Sequence, residues 1–185
     1  MTIFAVKFIT MKKASILCLL MLALCYVFSS CLEDSDTRQW RLDNEAFLKS
    51  LKDSTDIFAL ENRDSIITVE KGGIYEPGPV SGILYKVIKP STGNIAVLGQ
   101  SVSIKYTGWL YNDTEFDSGK LTFTLGDGST IDGMREVMER LPLGARWKVY
   151  IPYDLGYGSS DYNYSSPTIP AYSVLIFDIE LLKIE

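Results

Sequence analysis

Apolar and polar residues alternate with period two from Val102 to Thr107: Val102, Ile104 and Tyr106 fall on one side, Ser103, Lys105 and Thr107 on the other. That is the pattern of a strand with one buried face. Asn112-Asp113 then supplies turn chemistry ahead of Phe116 and Asp117. The same reading predicts strands over 83–88, 101–110, 122–125, 146–151 and 174–182. One helical period stands among them: Met134, Val137, Met138 and Leu141 are spaced i, i+3, i+4, i+7, with Asp132 as N-cap and Pro142 as the stop. A single short helix against an antiparallel sheet is an α+β arrangement, and the chain from residue 80 onward is long enough for one core.

Upstream, 36–51 reads as another helix, with Asp36 or Thr37 as N-cap and Trp40, Phe47, Leu48 and Leu51 recurring near a 3.6 period. Asp43 and Glu45 keep its other side polar. Such a helix packs on its own domain or tethers it; a dimerisation arm is the alternative. Between 53 and 70, charge mixes with Ile57-Phe58 and Ile66-Ile67, which fits a second short helix or an added edge strand equally well. Gly72-Gly73 and Pro77-Gly78-Pro79 then break the chain, so the domain boundary is expected there. The expected organisation is an N-terminal segment over 1–30, a helical extension and linker over 31–79, and one domain over 80–185.

The first segment carries targeting signals. Lys12 and Lys13 precede an apolar run over 14–28, short for a bilayer span and right for a signal-peptide core. Ser29, Ser30 and Cys31 follow, and the pattern resembles a bacterial lipobox, which implies lipidation of Cys31 and a membrane anchor. An ordinary cleaved signal or a short anchor is the alternative. Leu32-Glu33-Asp34 resembles the start of lipoproteins sent to the Gram-negative outer membrane, on its periplasmic or its surface side. The other two cysteines, Cys18 and Cys25, lie inside the apolar run, so the folded part has no thiol for a disulfide or a thiolate metal site.

The whole chain has a net charge of −5, and setting aside the first thirty residues removes three lysines and no acid, leaving −8. A negative surface argues against nucleic acid, which needs Lys and Arg patches. The chain has no histidine. Histidine-based triads and zinc sites are therefore excluded by composition.

Around Tyr106, Phe116 and Asp117 stands an ordered set of motifs: Thr130-Ile131-Asp132-Gly133, Pro142-Leu143-Gly144, Tyr157-Gly158, Ile169-Pro170 and Phe177-Asp178-Ile179-Glu180-Leu181-Leu182. In that order and spacing the chain resembles the FKBP-type peptidyl-prolyl isomerases over roughly residues 80 to 185. The resemblance implies a twisted antiparallel sheet wrapped around one short helix, no cofactor and no metal, and turnover of proline-containing polypeptides in the folding of envelope or secreted proteins. It also implies binding of macrolide inhibitors.

Carried across, it implies Tyr106, Asp117, Ile131 and Tyr157 as catalytic positions and Phe116, Leu121, Thr130, Met134, Ile169 and Phe177 as substrate-binding ones. Ile131 would offer its backbone N–H and Tyr157 its hydroxyl to substrate carbonyls, while Asp117 accepts a hydrogen bond from Tyr106. Met134 stands where the family commonly has tryptophan, and Leu121 replaces another frequent aromatic. The connection over 117–121 is short and the loop over 157–169 long, so weaker turnover is expected than a fully aromatic pocket gives. A proline-segment-binding module or holdase, or a structural subunit of a surface complex, are the alternatives. Trp109 and Trp147 read as structural, Asp178 and Glu180 as solvated or hydrogen-bonding, and Tyr162 and Tyr164 as loop tyrosines for protein partners.

Overall fold

A computed structural model describes residues 33–60 and 81–185. The signal-peptide reading, Cys31, Ile66-Ile67 and the boundary over 72–79 lie outside the described residues. Residues Gln39–Glu185 form one compact unit.

The elements run α1 (Ser35–Leu51), β1 (Phe58–Ala59), β2 (Leu84–Lys89), β3 (Ser101–Trp109), β4 (Glu115–Thr124), α2 (Asp132–Met138), β5 (Arg146–Ile151) and β6 (Leu175–Ile184). The strands form one antiparallel sheet in the order β1-β2-β5-β6-β3-β4. The α+β expectation of a sheet against one short helix, with a helix before it, describes the fold.

Period-two alternation sends the two sheet faces to different partners. Val102, Ile104, Val149, Ile151, Ile179 and Leu181 are fully buried with Val137, Met138 and Leu141 of the α2 region. Gly133 lets α2 approach closely: a Cβ there would stand 2.4 Å from Ile151 Cγ2. Cross-strand neighbours Leu84, Tyr150 and Ile176 point the other way and form a second cluster with Phe47, Leu48 and Leu51 of α1, and with Ile57 and Trp109. The helix therefore packs on its own domain through the apolar stripe that its sequence displays. Trp147 is core, stacked on Tyr85 at 4.3 Å.

Several details depart from the sequence reading. The N-cap of α1 is Asp34, not Asp36 or Thr37: its carboxylate accepts the N–H groups of Asp36 at 2.8 Å and Thr37 at 3.2 Å. Asp132 is the first residue of α2, not its cap; extended Ile131 precedes it and makes no side-chain cap bond. Regular helix ends at Met138, and the turn continues to Leu141 through two N–H groups donating to the Val137 carbonyl.

The strand expected over 122–125 is ten residues long. It lies at the sheet edge, held by hydrogen bonds to β3 while most of its side chains face solvent, so no apolar period marks it. Of the two readings for the segment after α1, the edge strand holds at Phe58–Ala59.

Candidate active site

A cavity of about 340 Å³ opens between the concave sheet face, α2 and two loops. Ile104 and Tyr106 enter from β3, Asp117 and Leu121 from β4, Thr130 and Ile131 from the loop before α2, Met134 from α2 itself, Tyr157 and Tyr162 from the segment after β5, and Phe177 from β6. Gly128 and Ser129 complete the rim. Alternation dictates the sheet contributions, since Ile104, Tyr106 and Phe177 occupy the concave-facing positions of their strands.

Of the ten site residues expected from sequence, eight line this cavity. Phe116 and Ile169 do not. Phe116 lies behind the wall with its ring edge-on to Phe177, 5.5 Å away at 86°. It fits there because Gly108 has no side chain: a Cβ would fall 2.7 Å from Phe116 and 2.9 Å from Phe177. Ile169 is fully buried and holds Tyr162 by a pair of backbone hydrogen bonds. Both support the lining from one layer back.

Tyr162 is the residue that the sequence reading misplaced. It is no free loop tyrosine; its ring stacks on Tyr157 with centroids 4.0 Å apart and planes 19° apart. No spacing rule ties the two, because the loop that joins them is irregular. A signal existed only in the bridge Tyr162↔Ile169, which is a tertiary pairing. Tyr164, also assigned to partners, is 91% exposed and tilted against Tyr162.

The polar groups of the cavity are few and ordered. The Tyr106 hydroxyl donates to Asp117 Oδ2 at 2.7 Å. Burial first, then the hydrogen bond and the charge of Asp117, push the Tyr106 phenol up to about 12. Burial chiefly, with Tyr162 and Asp117 adding to it, also raises Tyr157. Both phenols are therefore neutral donors at physiological pH. Among the described residues the Tyr157 hydroxyl and the Ile131 N–H meet no acceptor, while the Ile131 carbonyl accepts from Met134 and Arg135. The result is an apolar cup with two free donors at its edge and a tyrosine–carboxylate pair across it.

Comparison with known proteins identifies the family. The sequence family described as "FKBP-type peptidyl-prolyl cis-trans isomerase" matches residues 93–182. An FK506-binding protein of Neisseria meningitidis serogroup B (strain ATCC BAA-335 / MC58) is 36% identical over 110 residues, which cover 57% of this chain and 98% of that protein. The chain belongs to the FKBP family. It is an FKBP-type peptidyl-prolyl cis-trans isomerase.

Solved structures agree on the fold of this isomerase. A peptidyl-prolyl cis-trans isomerase from Pseudomonas syringae pv. tomato superposes with TM-score 0.64 at 24% identity, over 83% of this chain and 99% of that one. FkpA from Escherichia coli gives TM-score 0.61 at 25% identity, over 92% of this chain and 71% of that one. The substrates of the isomerase are proline-containing polypeptides.

Asp178 and Glu180, on β6, lie away from the cup. Asp178 takes a bidentate bond from Arg146 at 2.6 and 2.9 Å, and Glu180 pairs with Lys89 at 3.1 Å. Neither lines the cavity.

Proposed function

We propose that this isomerase works at the cell envelope, held by a lipid on Cys31, and speeds the folding of exported proteins by seating a prolyl ring in the cup. The observation that carries the catalytic part of the reading is the convergence of Tyr106, Ile131, Met134, Tyr157 and Phe177 on one largely apolar cavity. Rotation about an Xaa-Pro bond faces a barrier of roughly 18–20 kcal/mol, because amide resonance keeps the bond planar. Twisting the bond removes the charge separation of the planar amide. Water stabilises that charge separation, so a water-poor aromatic cup favours the twisted form relative to the planar one.

In this reading Met134 and Phe177 hold the ring, with Ile104 and Leu121 beside them. The Ile131 N–H and the Tyr157 hydroxyl each donate to a substrate carbonyl and fix the flanking peptide. The Tyr106 to Asp117 bond keeps the Tyr106 ring in place and sets the field on the opposite wall. No nucleophile, general acid or base enters the step. Met134 is a flexible floor, and Leu121 stands 38% exposed at the rim. Both favour slower turnover than a rigid aromatic floor supports.

A protease-coupled isomerisation assay on short Xaa-Pro peptides tests this, with Tyr157→Phe and Asp117→Ala beside the wild type. Acceleration that both variants lose supports the roles of the Tyr157 hydroxyl and the Asp117 carboxylate. A wild type no faster than buffer would leave only capture of proline segments. The name of the Neisseria relative motivates the same cup as a site for a macrolide such as FK506. Competition by FK506 in the same assay decides it, and no inhibition at saturating compound removes that part.

The envelope assignment rests on the sequence over 12–34. Mass spectrometry of the mature N-terminus tests it directly. A lipid-modified Cys31 supports the anchor, and an unmodified N-terminus beyond Cys31 ends it.

A further inference from the structure

We infer that the α1 helix is a positioning device for the substrate cup, acting through Trp40, Arg41 and Asn44 on the segment that holds Tyr162. This inference rests on the proline-cup reading above and names a determinant of substrate affinity outside the cup.

Hydrogen bonds from α1 reach the site's supporting chain by two routes. Asn44, 1% exposed, accepts the Val174 N–H on its Oδ1 at 2.7 Å. Its Nδ2 donates to the Trp40 carbonyl at 2.8 Å, one turn earlier on the helix, so the amide orientation is fixed at both ends. The Trp40 indole N–H donates to Ser173 Oγ at 3.0 Å, and that hydroxyl donates to the Pro170 carbonyl at 2.7 Å. Between these grips sits Tyr172, whose φ of 61° is a conformation that bulky residues seldom adopt. The Arg41 guanidinium lies 5.1 Å over the Tyr172 ring, and the Tyr153 ring meets it edge-on at 5.1 Å. Such a backbone persists only where its surroundings over-determine it, and here α1 supplies much of that constraint.

The held segment in turn fixes the cup wall. Ile169 and Tyr162 exchange two backbone hydrogen bonds, at 2.8 and 3.1 Å. The Ala171 N–H donates to Asp161 Oδ1 at 2.8 Å, and the Tyr172 N–H to the Gly158 carbonyl at 2.9 Å. The Gly158 end of the loop is thus tied to Tyr172, under the Arg41 guanidinium, and the Ile169 end runs directly into Pro170, whose carbonyl α1 reaches through Ser173. Tyr162 at the middle of this arrangement stacks on Tyr157 and lines the cavity. A helix that served only to cover the sheet needs the apolar stripe of Phe47, Leu48 and Leu51. The Asn44 amide and Trp40 indole bonds at the other end of the helix fix its register on one segment, because a slip of either partner leaves the buried Asn44 and Ser173 side chains unpaired.

On this inference Tyr162 contributes a wall contact common to the planar and the twisted state, so loosening it raises KM and leaves kcat nearly unchanged. The test uses the full-length mature protein and short Xaa-Pro peptides, with KM and kcat measured separately. Asn44→Ala and Trp40→Phe are each expected to raise KM roughly three- to tenfold, the fold-change of a pairwise coupling at the low end of its usual range. Leu51→Ala, on the same helix but packed on the Leu84, Tyr150 and Ile176 cluster, controls for loss of stability. It is expected to lower the melting temperature and leave KM unchanged.

A double variant gives the decisive comparison. In a Tyr162→Ala background, which raises KM by itself, Asn44→Ala should add nothing further. Full additivity of the two, or a KM for Asn44→Ala equal to that of wild type, overturns the inference while the cup reading stands. An unchanged KM in Tyr162→Ala overturns it too, at the wall. Loss of activity in Tyr157→Phe, measured alongside, reports on the cup independently.

Discussion

Replacing Gly108 with alanine tests whether the cup wall is set by close packing. The position has an ordinary negative φ, so the added methyl meets no backbone objection; the obstacle is space. A Cβ there would lie 2.7 and 2.8 Å from two atoms of the Phe116 ring and 2.9 Å from Phe177. Carbon atoms rest about 3.5–4.0 Å apart, so Phe116 has to retreat by roughly 0.8–1.3 Å and Phe177 by roughly 0.6–1.1 Å. Neither ring has room, since both are buried, they meet edge-on at 5.5 Å, and Phe177 also packs 6.2 Å from Tyr106. Overpacking of this kind costs about 1–3 kcal/mol, and the loss of glycine's freedom in the unfolded chain returns about 0.4–1 kcal/mol of it. The expected net loss is about 1–2 kcal/mol, or a melting point lowered by roughly 3–8 °C for a unit of this size. Urea denaturation should show a lower midpoint at an unchanged slope, and the isomerisation assay a raised KM, because Phe177 is displaced into the cavity. A midpoint equal to or above that of the wild type would refute the packing argument.

Other perturbations separate the remaining parts of the account. The Tyr106 phenol sits at about 12 in the folded protein against about 10 in an unfolded chain, so the native state holds that proton more tightly. Its contribution to stability is complete below about pH 10 and is lost as the pH rises toward 12. The stability gap between wild type and Tyr106→Phe should therefore narrow between about pH 10 and about pH 12; a gap that widens would contradict it. Met134→Ala empties the floor of the cup and should cost about 2–5 kcal/mol with a raised KM, whereas Met134→Leu should cost under about 1.5 kcal/mol in the same denaturation assay. Asp178→Asn breaks the bidentate pair with Arg146 on the far side of β6, and should shift stability by no more than about 1 kcal/mol. Unaltered kcat and KM in that variant would agree with the position of Asp178 outside the cup.

Local periodicity determined much of this protein before any coordinates. Val102, Ile104 and Tyr106 had to share a face because strand side chains alternate, and Met134, Val137, Met138 and Leu141 had to share one because a helix turns every 3.6 residues. The order of the motifs from Tyr106 to Phe177 was enough to point to the isomerase family and to eight of the residues that line its cavity. Edge strand β4 escaped this logic, since backbone hydrogen bonds to β3 hold it and its side chains carry no buried period.

Tertiary structure alone decided three things. It set Phe116 and Ile169 behind the wall, because Gly108 leaves room for one ring and the bridge to Tyr162 claims the other residue. It brought Tyr162 onto Tyr157 through an irregular loop, where neighbours in space have no fixed separation in sequence. And it joined Asn44, in the middle of an otherwise apolar stripe, to Val174 across 130 residues. A polar residue at a buried helical position reads as a flaw in the pattern until its partner is known, because hydrogen-bond satisfaction is a property of the folded neighbourhood and not of the chain.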